Sequence, residues 1–396
     1  MKKILHSVID KVFNWNNLKN ASQKVIKNKG SGGVDGMSVG QWAEKEEIHL
    51  STLRRRLMKD TYRSKPVLRC YIDKPGSKKK RPLGIPPVTD RVCQQSVHNV
   101  LSPVFEGYFH EDSHGFRPSR STHTAAKRVE ALRKRGYRQV VDLDIQGFFD
   151  HVDWEILVKL VRQVVKDRRV LGLIRGWLTG GIMEEGKVRF ATTGTPQGGV
   201  ISPLLSNIYL TVLDNALSDA GYRFVRYADD MVILCRSKDE TVMALSYARQ
   251  VLARLKLQLN EEKTTITSFM DGFDFLGFHF TNRGRSIATK ALKAFYGKVR
   301  EATRRHQGDK PVAAVITTLN PILRGWGNYH REGQNVGMLT KLDKWVRKRL
   351  RAYIYKRWDT TRWSKASRPT KEEFEAIGLF TMRTILRPRN LQLMLF

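Results

Sequence analysis

Apolar and polar residues alternate along most of the chain with the period of a helix. Residues 1–60 and 91–136 show this pattern, and apolar residues recur every three or four positions through 154–165. The same spacing predicts a helix through 204–210 and another that ends near Leu259. Helix is therefore the element that the pattern predicts most often.

Shorter segments have the pattern of strands. Residues 66–90 alternate apolar and basic groups around proline and glycine turn signals, as a β-hairpin does. Residues 140–145 are mostly β-branched, 224–235 predict two short strands joined by a turn, and 273–280 predict one further strand. The mixture indicates an α+β fold.

Glycine-rich segments interrupt the pattern at residues 28–36 and 193–199. Glycine breaks a helix and lets the backbone approach a ligand closely. After Thr281 the pattern becomes purely helical, and residues 283–371 contain 23 Lys and Arg but only five Asp and Glu. We therefore predict a domain boundary near Thr281, followed by a strongly basic helical domain.

The net charge of the whole chain indicates which class of molecule the protein binds. The formal net charge is +33 in 396 residues, and self-repulsion makes such an excess a cost to folding. Nucleic acid explains the excess, because each neutralised phosphate releases counterions; the alternatives are an anionic membrane surface or a merely basic protein. No run of about 18 apolar residues predicts a membrane span, and the three cysteines lack metal-site spacing. A cytoplasmic protein without a membrane partner is expected.

Three acidic residues of this basic chain lie next to apolar segments, where a carboxylate is unexpected. Asp144 ends an apolar strand, and Asp229 and Asp230 occupy a turn between apolar strands. Half-buried carboxylates are costly unless a cation pairs with them, and Mg²⁺ prefers such oxygen ligands together with substrate phosphates. The pattern predicts a site for two Mg²⁺ ions, although Asp-Asp at a turn is also ordinary turn chemistry.

The order of the motifs resembles that of reverse transcriptases from about residue 20 to 280. A strand ending in Asp-x-x-x-Phe-Phe is followed by a Pro-Gln-Gly loop, a Tyr-x-Asp-Asp hairpin and a Phe-Leu-Gly-Phe segment. The resemblance implies a right-hand polymerase fold, with fingers and a palm built on an antiparallel sheet. It also implies that Asp144, Asp229 and Asp230 bind the metals, and that the Ile145 carbonyl reaches one of them.

By the same resemblance, other positions contact the nucleotide. Lys74 and Arg81 correspond to the fingers residues that grip the triphosphate, and the alternative is a solvated basic loop. Gln197 corresponds to the glutamine of the nucleotide pocket.

Two further residues have roles implied by the resemblance. Phe149 stands where an aromatic ring excludes a ribose 2′-hydroxyl; Phe148 is the alternative gate, and core packing is the structural alternative. Lys263 matches the lysine proposed to protonate pyrophosphate, with a helix-end cation as the competing interpretation. Residues 275–278 resemble the primer-grip hairpin.

Three motifs point to the reverse transcriptases of group II introns: residues 28–36, residues 114–121 and residues 321–330, the last resembling a thumb or maturase domain. The predicted divisions are an N-terminal extension, fingers and palm, a helical thumb/maturase domain and a short tail, at residues 1–60, 61–282, 283–372 and 373–396. No DNA-binding or His/Cys endonuclease segment is recognisable after residue 369.

The basic domain contains a predicted amphipathic helix. Its apolar face comprises Leu342, Trp345, Val346, Leu350, Tyr353 and Ile354. Lys344, Arg347, Lys348 and Arg351 belong to its cationic side, which we expect to contact RNA phosphates; the alternative is a solvated face.

The expected function is RNA-directed DNA synthesis on a primer, with assistance to the splicing of a group II intron RNA. The expected partners are an RNA template, the intron RNA, a DNA primer and deoxynucleoside triphosphates. Alternatives are a related polymerase used in antiviral defence or CRISPR spacer acquisition, and an RNA-binding splicing factor with an inactive polymerase. The intact carboxylates argue against the last.

Overall fold

The computed structural model describes residues 4–73, 80–304, 310–332, 336–355 and 369–386. The chain forms two compact units, Met1–Phe269 and Met270–Phe396. The predicted four-part division of the chain stays a prediction, and the hairpin that we assigned to the palm falls in the second unit.

Four helices precede the first sheet, as the pattern of residues 1–60 predicted. They are α1 (Ile9–Val12), α2 (Trp15–Lys27), α3 (Val39–Glu44) and α4 (Glu46–Met58). Asn14 caps α2 by accepting the amides of Asn16 and Asn17, which satisfies two donors that a helix start leaves open. Trp42 of α3 is buried and donates its indole N–H to Ser22 of α2 at 2.8 Å.

A four-stranded sheet follows the N-terminal helices. Its strands are β1 (Val67–Asp73), β2 (Lys80–Ile85), β4 (Ile182–Glu184) and β5 (Lys187–Arg189), in the order β2-β1-β4-β5. The predicted hairpin is confirmed, because β1 and β2 pair antiparallel with Leu68 opposite Ile85. β4 pairs with β1 in parallel.

The second sheet of the first unit is antiparallel throughout. Its strands are β3 (Gln139–Leu143), β6 (Arg223–Tyr227), β7 (Asp230–Cys235) and β8 (Thr265–Ser268), in the order β6-β7-β3-β8. The helices around it are α5 (Val88–Phe105), α6 (Thr122–Lys134), α7 (Phe148–His151), α8 (Trp154–Val164), α9 (Arg168–Thr179), α10 (Ser202–Asp219) and α11 (Lys238–Arg254). The apolar residues of β3 and all of β7 after Asp230 are buried, and helices α10 and α11 pack against the sheet. The predicted α+β fold with an antiparallel palm is confirmed.

The helix predicted to reach Leu259 ends earlier, at Arg254. Lys256 adopts a positive φ of 53°, and the amide of Leu257 returns to the carbonyl of Leu252 at 2.9 Å. This left-handed residue ends the helix. Leu259 then forms an isolated bridge with Ile145 beside the palm sheet.

The second unit begins with three strands rather than with helices. β9 (Phe273–Phe275), β10 (Phe278–Thr281) and β11 (Gly284–Ile287) pair in the order β11-β10-β9. The single strand predicted for 273–280 is therefore wrong: Leu276 and Gly277 both have positive φ and form a tight hairpin turn. The purely helical pattern predicted after Thr281 is likewise interrupted by β11.

Four helices complete the described part of the second unit: α12 (Thr289–Ala302), α13 (Val312–His330), α14 (Val336–Ile354) and α15 (Lys371–Ala376). Phe295, Leu319, Leu342 and Leu350 are buried in their common core. Phe374 and Met382 also belong to this core, so residues 371–386 pack with the helices although they extend into the predicted tail.

Asp167 connects the N-terminal segment to α9. Its carboxylate accepts the amides of Val8 and Ile9 at 2.7 and 2.9 Å and also caps α9. Burial acts to raise the pKa of this carboxyl, but the backbone amides outweigh burial and lower the pKa from its usual value. Because the folded-state pKa is the lower one, the stabilisation is present above about pH 4 and is lost as the pH falls through the folded pKa.

Replacing Asp167→Ala should therefore lower the free energy of unfolding by about 2–3 kcal/mol at pH 7. The difference from the wild type should shrink when urea unfolding is measured well below about pH 4, where the Asp167 carboxyl becomes protonated in the folded state as well. Asp10→Ala, which removes an exposed carboxylate of α1, is the control and should change little. Equal unfolding of wild type and Asp167→Ala at pH 7 would contradict this role.

Candidate active site

The three predicted carboxylates lie at one end of the palm sheet. Leu143 of β3 pairs with Met231 of β7, so the next residues along the two strands, Asp144 and Asp230, follow that pair side by side. Ala228 and Asp229 form the two-residue turn between β6 and β7, and Asp229 directly precedes Asp230, the first residue of β7. The apolar strands bring the three acidic residues together, as the sequence predicted.

Burial and the proximity of like charges raise the pKa of two carboxyls in the cluster. Burial, followed by the charges of Asp229 and Asp144, raises the pKa of Asp230 to about 6. Asp230 nevertheless keeps contact with solvent. Burial and the charge of Asp144 also raise the pKa of Asp229. The cluster therefore favours a positive partner.

Lys263 supplies part of that positive charge. Its Nζ lies 3.2 Å from both Asp144 oxygens. Lys263 stands in a turn nine residues after α11 has ended, so the interpretation as a helix-end cation is wrong. Its ammonium is exposed to solvent and faces the carboxylate cluster.

The cluster fits a divalent cation that brings further ligands with it. Among the residues that the structure describes, no three His, Cys, Asp or Glu side chains are already arranged as a complete metal site. Carboxylates at the ends of neighbouring strands suit an ion such as Mg²⁺, which keeps waters and takes oxygens from substrate phosphates.

The backbone beside Asp144 is held by pairing with the segment after α11. Asn260 donates its amide to the Asp144 carbonyl at 2.8 Å, and Gln146 donates to Gln258 at 2.9 Å. These bonds flank the bridge between Ile145 and Leu259 and do not use the Ile145 carbonyl. That carbonyl therefore stays compatible with the predicted metal contact.

A cavity of about 340 Å³ opens beside the sheet of β1, β2 and β4 in the first unit, and two residues predicted to contact the nucleotide belong to its lining. Phe149 and Gln197 both line it. Phe148 instead is buried and packs edge-on against Tyr209, with ring centroids 6.4 Å apart. Of the two adjacent phenylalanines, Phe149 is the one that faces the cavity.

The loop that carries Gln197 is held against β2. Gly84 donates its amide to the Gln197 carbonyl at 2.6 Å. Gly198 has a φ of 113°, and a Cβ there would lie 2.6 Å from the Gly84 carbonyl oxygen. Only glycine permits both this conformation and this approach, which explains the glycine at position 198 of the glycine-rich segment.

The two predicted triphosphate contacts have different outcomes. Arg81 is exposed at the start of β2, and its charge acts to lower the pKa of both Asp229 and Asp230. Its guanidinium is therefore near the carboxylates. Lys74 lies outside the described residues.

The cationic side predicted for α14 is only partly open. Lys344 and Lys348 are exposed. Arg347 is buried, with only 9% of its surface exposed, and Arg351 donates to the Pro369 carbonyl at 2.7 and 2.9 Å. The prediction that all four residues line one open surface is therefore wrong.

The physical reason is that residues 369–383 cover this face of α14. Asp343, one turn before Arg347, accepts the amides of Met382 and Arg383. The predicted apolar face also ends early, because Ile354 is exposed. The helical periodicity of a sequence separates the apolar face of a helix from its polar face. It does not predict that a later segment of the chain covers part of the polar face.

Several residues of the site were not identified from the sequence. Arg69 and the 75%-exposed Phe190 line the cavity. Arg226 and Asp214 form a buried ion pair below the Asp229 turn. A charged residue within a predicted apolar strand, and another within an apolar helix, were the signals available in the sequence.

Comparison with known proteins connects this geometry to a family. Residues 72–280 match the family model described as reverse transcriptase (RNA-dependent DNA polymerase). Residues 292–369 match the group II intron, maturase-specific domain. The chain belongs to the group II intron reverse transcriptase and maturase family. It is an RNA-directed DNA polymerase, and reverse transcriptases of this family generally use divalent metal ions.

Individual relatives agree with the family. The reverse transcriptase is 35% identical to protein YkfC of Escherichia coli (strain K12), over 76% of this chain and 88% of YkfC. It is 31% identical to the group II intron-encoded protein LtrA of Lactococcus lactis subsp. cremoris, over 72% of this chain and 57% of LtrA. A third relative is the uncharacterized 91 kDa protein in cob intron of Schizosaccharomyces pombe, at 26% identity over 77% of this chain and 47% of that protein.

The family matches imply RNA and nucleotide substrates. Within the described ranges, no helix is both long enough and apolar enough to cross a membrane. All three cysteines are free thiols.

Proposed function

We propose that Asp144, Asp229 and Asp230 hold two Mg²⁺ ions that carry out DNA synthesis from deoxynucleoside triphosphates on an RNA template. The observation that carries the proposal is the convergence of the three carboxylates at the end of the palm sheet, with the pKa of Asp230 raised to about 6 by burial and by its acidic neighbours. When bound, the ions would activate the primer 3′-hydroxyl and stabilise the leaving pyrophosphate.

The chain's own residues divide the remaining work. Asp144, Asp229 and Asp230 would orient the metal-bound oxygens, and the Ile145 carbonyl would add a ligand. Lys263 Nζ lies 3.2 Å from Asp144 Oδ1. The Lys263 ammonium would leave the Asp144 carboxylate and donate a proton to the departing pyrophosphate. The exposure of this ammonium supports the role, because a general acid needs access to the group that it protonates.

The nucleotide would occupy the cavity that Phe149 and Gln197 line. Arg81 and Lys74 would hold the triphosphate, and Gln197 would contact the nucleotide from the loop that Gly198 keeps close to β2. The Phe149 ring would meet a ribose 2′-hydroxyl at the cavity wall. The burial of Phe148 in the core supports Phe149 as the gate.

The metal assignment is tested with Asp230→Ala. This variant should abolish extension of an oligo(dT) primer on poly(rA) in Mg²⁺ or Mn²⁺, while its affinity for structured RNA stays unchanged. Removing one of three repelling carboxylates should not lower the melting temperature in EDTA. The control is Asp219→Ala, which removes an exposed carboxylate at the end of α10 and does not line the cavity proposed for the nucleotide.

Metal binding can be followed without activity. Mn²⁺ should raise the melting temperature of the wild type and of Asp219→Ala, but much less that of Asp230→Ala, because a ligand that binds only the folded state stabilises it. Retained extension by a folded Asp230→Ala would overturn the assignment of the triad.

Phe149→Val should admit ribonucleotides, because the shorter side chain no longer meets the 2′-hydroxyl. We expect discrimination against ribonucleotides, measured as a ratio of kcat/KM values, to fall roughly tenfold or more. Phe148→Leu is the control and should affect stability rather than selectivity. Unchanged discrimination by Phe149→Val would assign Phe149 to packing.

We further propose that the second unit binds group II intron RNA and assists its splicing. The maturase-specific match at 292–369 and the net positive charge of that region support this role. The same match favours it over the alternatives of antiviral defence and CRISPR spacer acquisition. The proposed contacts on α14 are Lys344 and Lys348, with Arg347 and Arg351 acting through the packing of that helix. A cytoplasmic location is part of the proposal.

Charge reversal of Lys344 and Lys348 to Glu should weaken binding to structured RNA. The slope of log affinity against log salt should shrink by roughly 0.7–0.9 for each phosphate that the protein no longer neutralises. Lys159→Glu with Lys166→Glu, two exposed positions of the first unit, gives the same change of net charge as a control. An equal slope in the two double variants would mean that α14 presents only a solvated face.

A further inference from the structure

A fully buried ion pair contacts Ala228 of the turn between β6 and β7, directly before Asp229 and Asp230. Arg226 of β6 and Asp214 of α10 both have 0% side-chain exposure. Arg226 Nε donates to Asp214 Oδ1 at 2.7 Å, and its Nη2 donates to Oδ2. This is the paired, bidentate geometry in which a guanidinium holds a carboxylate most firmly.

The third guanidinium nitrogen reaches the turn itself. Arg226 Nη1 donates to the Ala228 carbonyl at 2.8 Å and to Asn207 Oδ1 at 3.0 Å. Ala228 has a φ of 59°, a left-handed conformation that an alanine rarely adopts and that glycine usually provides at this position of a hairpin. A strained residue of this kind persists only where its surroundings hold it.

A neighbouring loop closes the other side of the turn. A Cβ on Gly115 would lie 2.3 Å from the Ala228 nitrogen, so the two backbones are in direct contact. Asn207 Nδ2 donates to the Gly115 carbonyl at 2.8 Å. One network therefore connects α10, the loop that contains Gly115, and Ala228. Ala228 directly precedes Asp229 and Asp230.

Stability alone does not explain this network. A buried ion pair recovers little more than the cost of removing its charges from water, and apolar residues of similar size often replace it without loss. A specific geometry is what such a pair supplies. Arg226 is placed to bind both a fixed helix carboxylate and the carbonyl directly before Asp229.

We propose that Arg226, oriented by Asp214 and Asn207, is a positioning residue that holds the Ala228 carbonyl and thereby directs Asp229 and Asp230 toward the divalent metals. The proposal rests on the proposed metal role of these carboxylates. Arg226 is fully buried and would act on the metal site through its hydrogen bond to the turn.

The test uses Arg226→Lys, which keeps a cation beside Asp214 but lacks the fork that also reaches Ala228. In the full chain we expect the rate of primer extension to fall roughly 10–100-fold, as for other outer-shell partners of metal ligands. The Mg²⁺ concentration for half-maximal rate should rise several-fold, and primer–template affinity should stay within about twofold of the wild type. Val161→Ala, a buried change in α8, controls for reduced stability and should leave the Mg²⁺ requirement unchanged.

A second substitution makes the test specific to the turn. Glycine adopts the left-handed φ of residue 228 without strain, so adding Ala228→Gly to Arg226→Lys should restore part of the rate and lower the Mg²⁺ requirement again. If Arg226→Lys does not fold, Arg226→Met with Asp214→Leu replaces it, with the same expected losses and the same rescue by Ala228→Gly.

The outcomes separate this inference from the proposed function. A folded variant with the wild-type rate and Mg²⁺ requirement overturns the role of Arg226, as does a lower rate with an unchanged Mg²⁺ requirement and no rescue. Asp230→Ala is measured in parallel. Extension by Asp230→Ala would count against the metal assignment itself, whereas its inactivity beside a wild-type-like Arg226→Lys would count against the positioning role alone.

Discussion

Electrostatic repulsion among Asp144, Asp229 and Asp230 is the interaction on which the proposed site in the first unit depends. Ionised carboxylates do not gather spontaneously at the end of an apolar sheet, because burial and mutual charge both oppose ionisation. The register of β3 with β7 nevertheless forces them together. Lys263 and Arg81 offset part of the repulsion, and a divalent cation would offset the rest. The repulsion within the cluster is thus the source of its affinity for a cation.

Close backbone contacts also set the shape of the site around that cluster. Gly198 meets the Gly84 carbonyl, and Gly115 meets the backbone of Ala228. Neither approach leaves room for a Cβ. The cavity beside Phe149 and the turn before Asp229 are consequently held by loops whose position is fixed by close packing, as a site that must orient a reacting phosphate requires.

The sequence predicted what depends on local pattern and on motif order. The palm strands, the hairpin of β1 and β2 and the gathering of the three carboxylates were all predictable, because apolar strands and turn chemistry are encoded within a few residues. Interactions between distant segments were not. The burial of Arg347 and the hydrogen bonds from Arg351 to Pro369 depend on residues 369–383 folding over α14. The early end of α11 depends on Lys256 adopting a left-handed conformation. The role of Arg226 required Asp214, a residue on another element, to be seen beside it.

Anomalous diffraction from Mn²⁺ tests the central claim most directly. Crystals of the chain with an RNA template, a DNA primer lacking its 3′-hydroxyl and a deoxynucleoside triphosphate would be grown in Mn²⁺. We expect two anomalous peaks about 3.5–4 Å apart, both within coordinating distance of oxygens of Asp144, Asp229 or Asp230 and of the triphosphate. Peaks elsewhere, or density for the triphosphate without metal at these carboxylates, would contradict the proposed catalytic site.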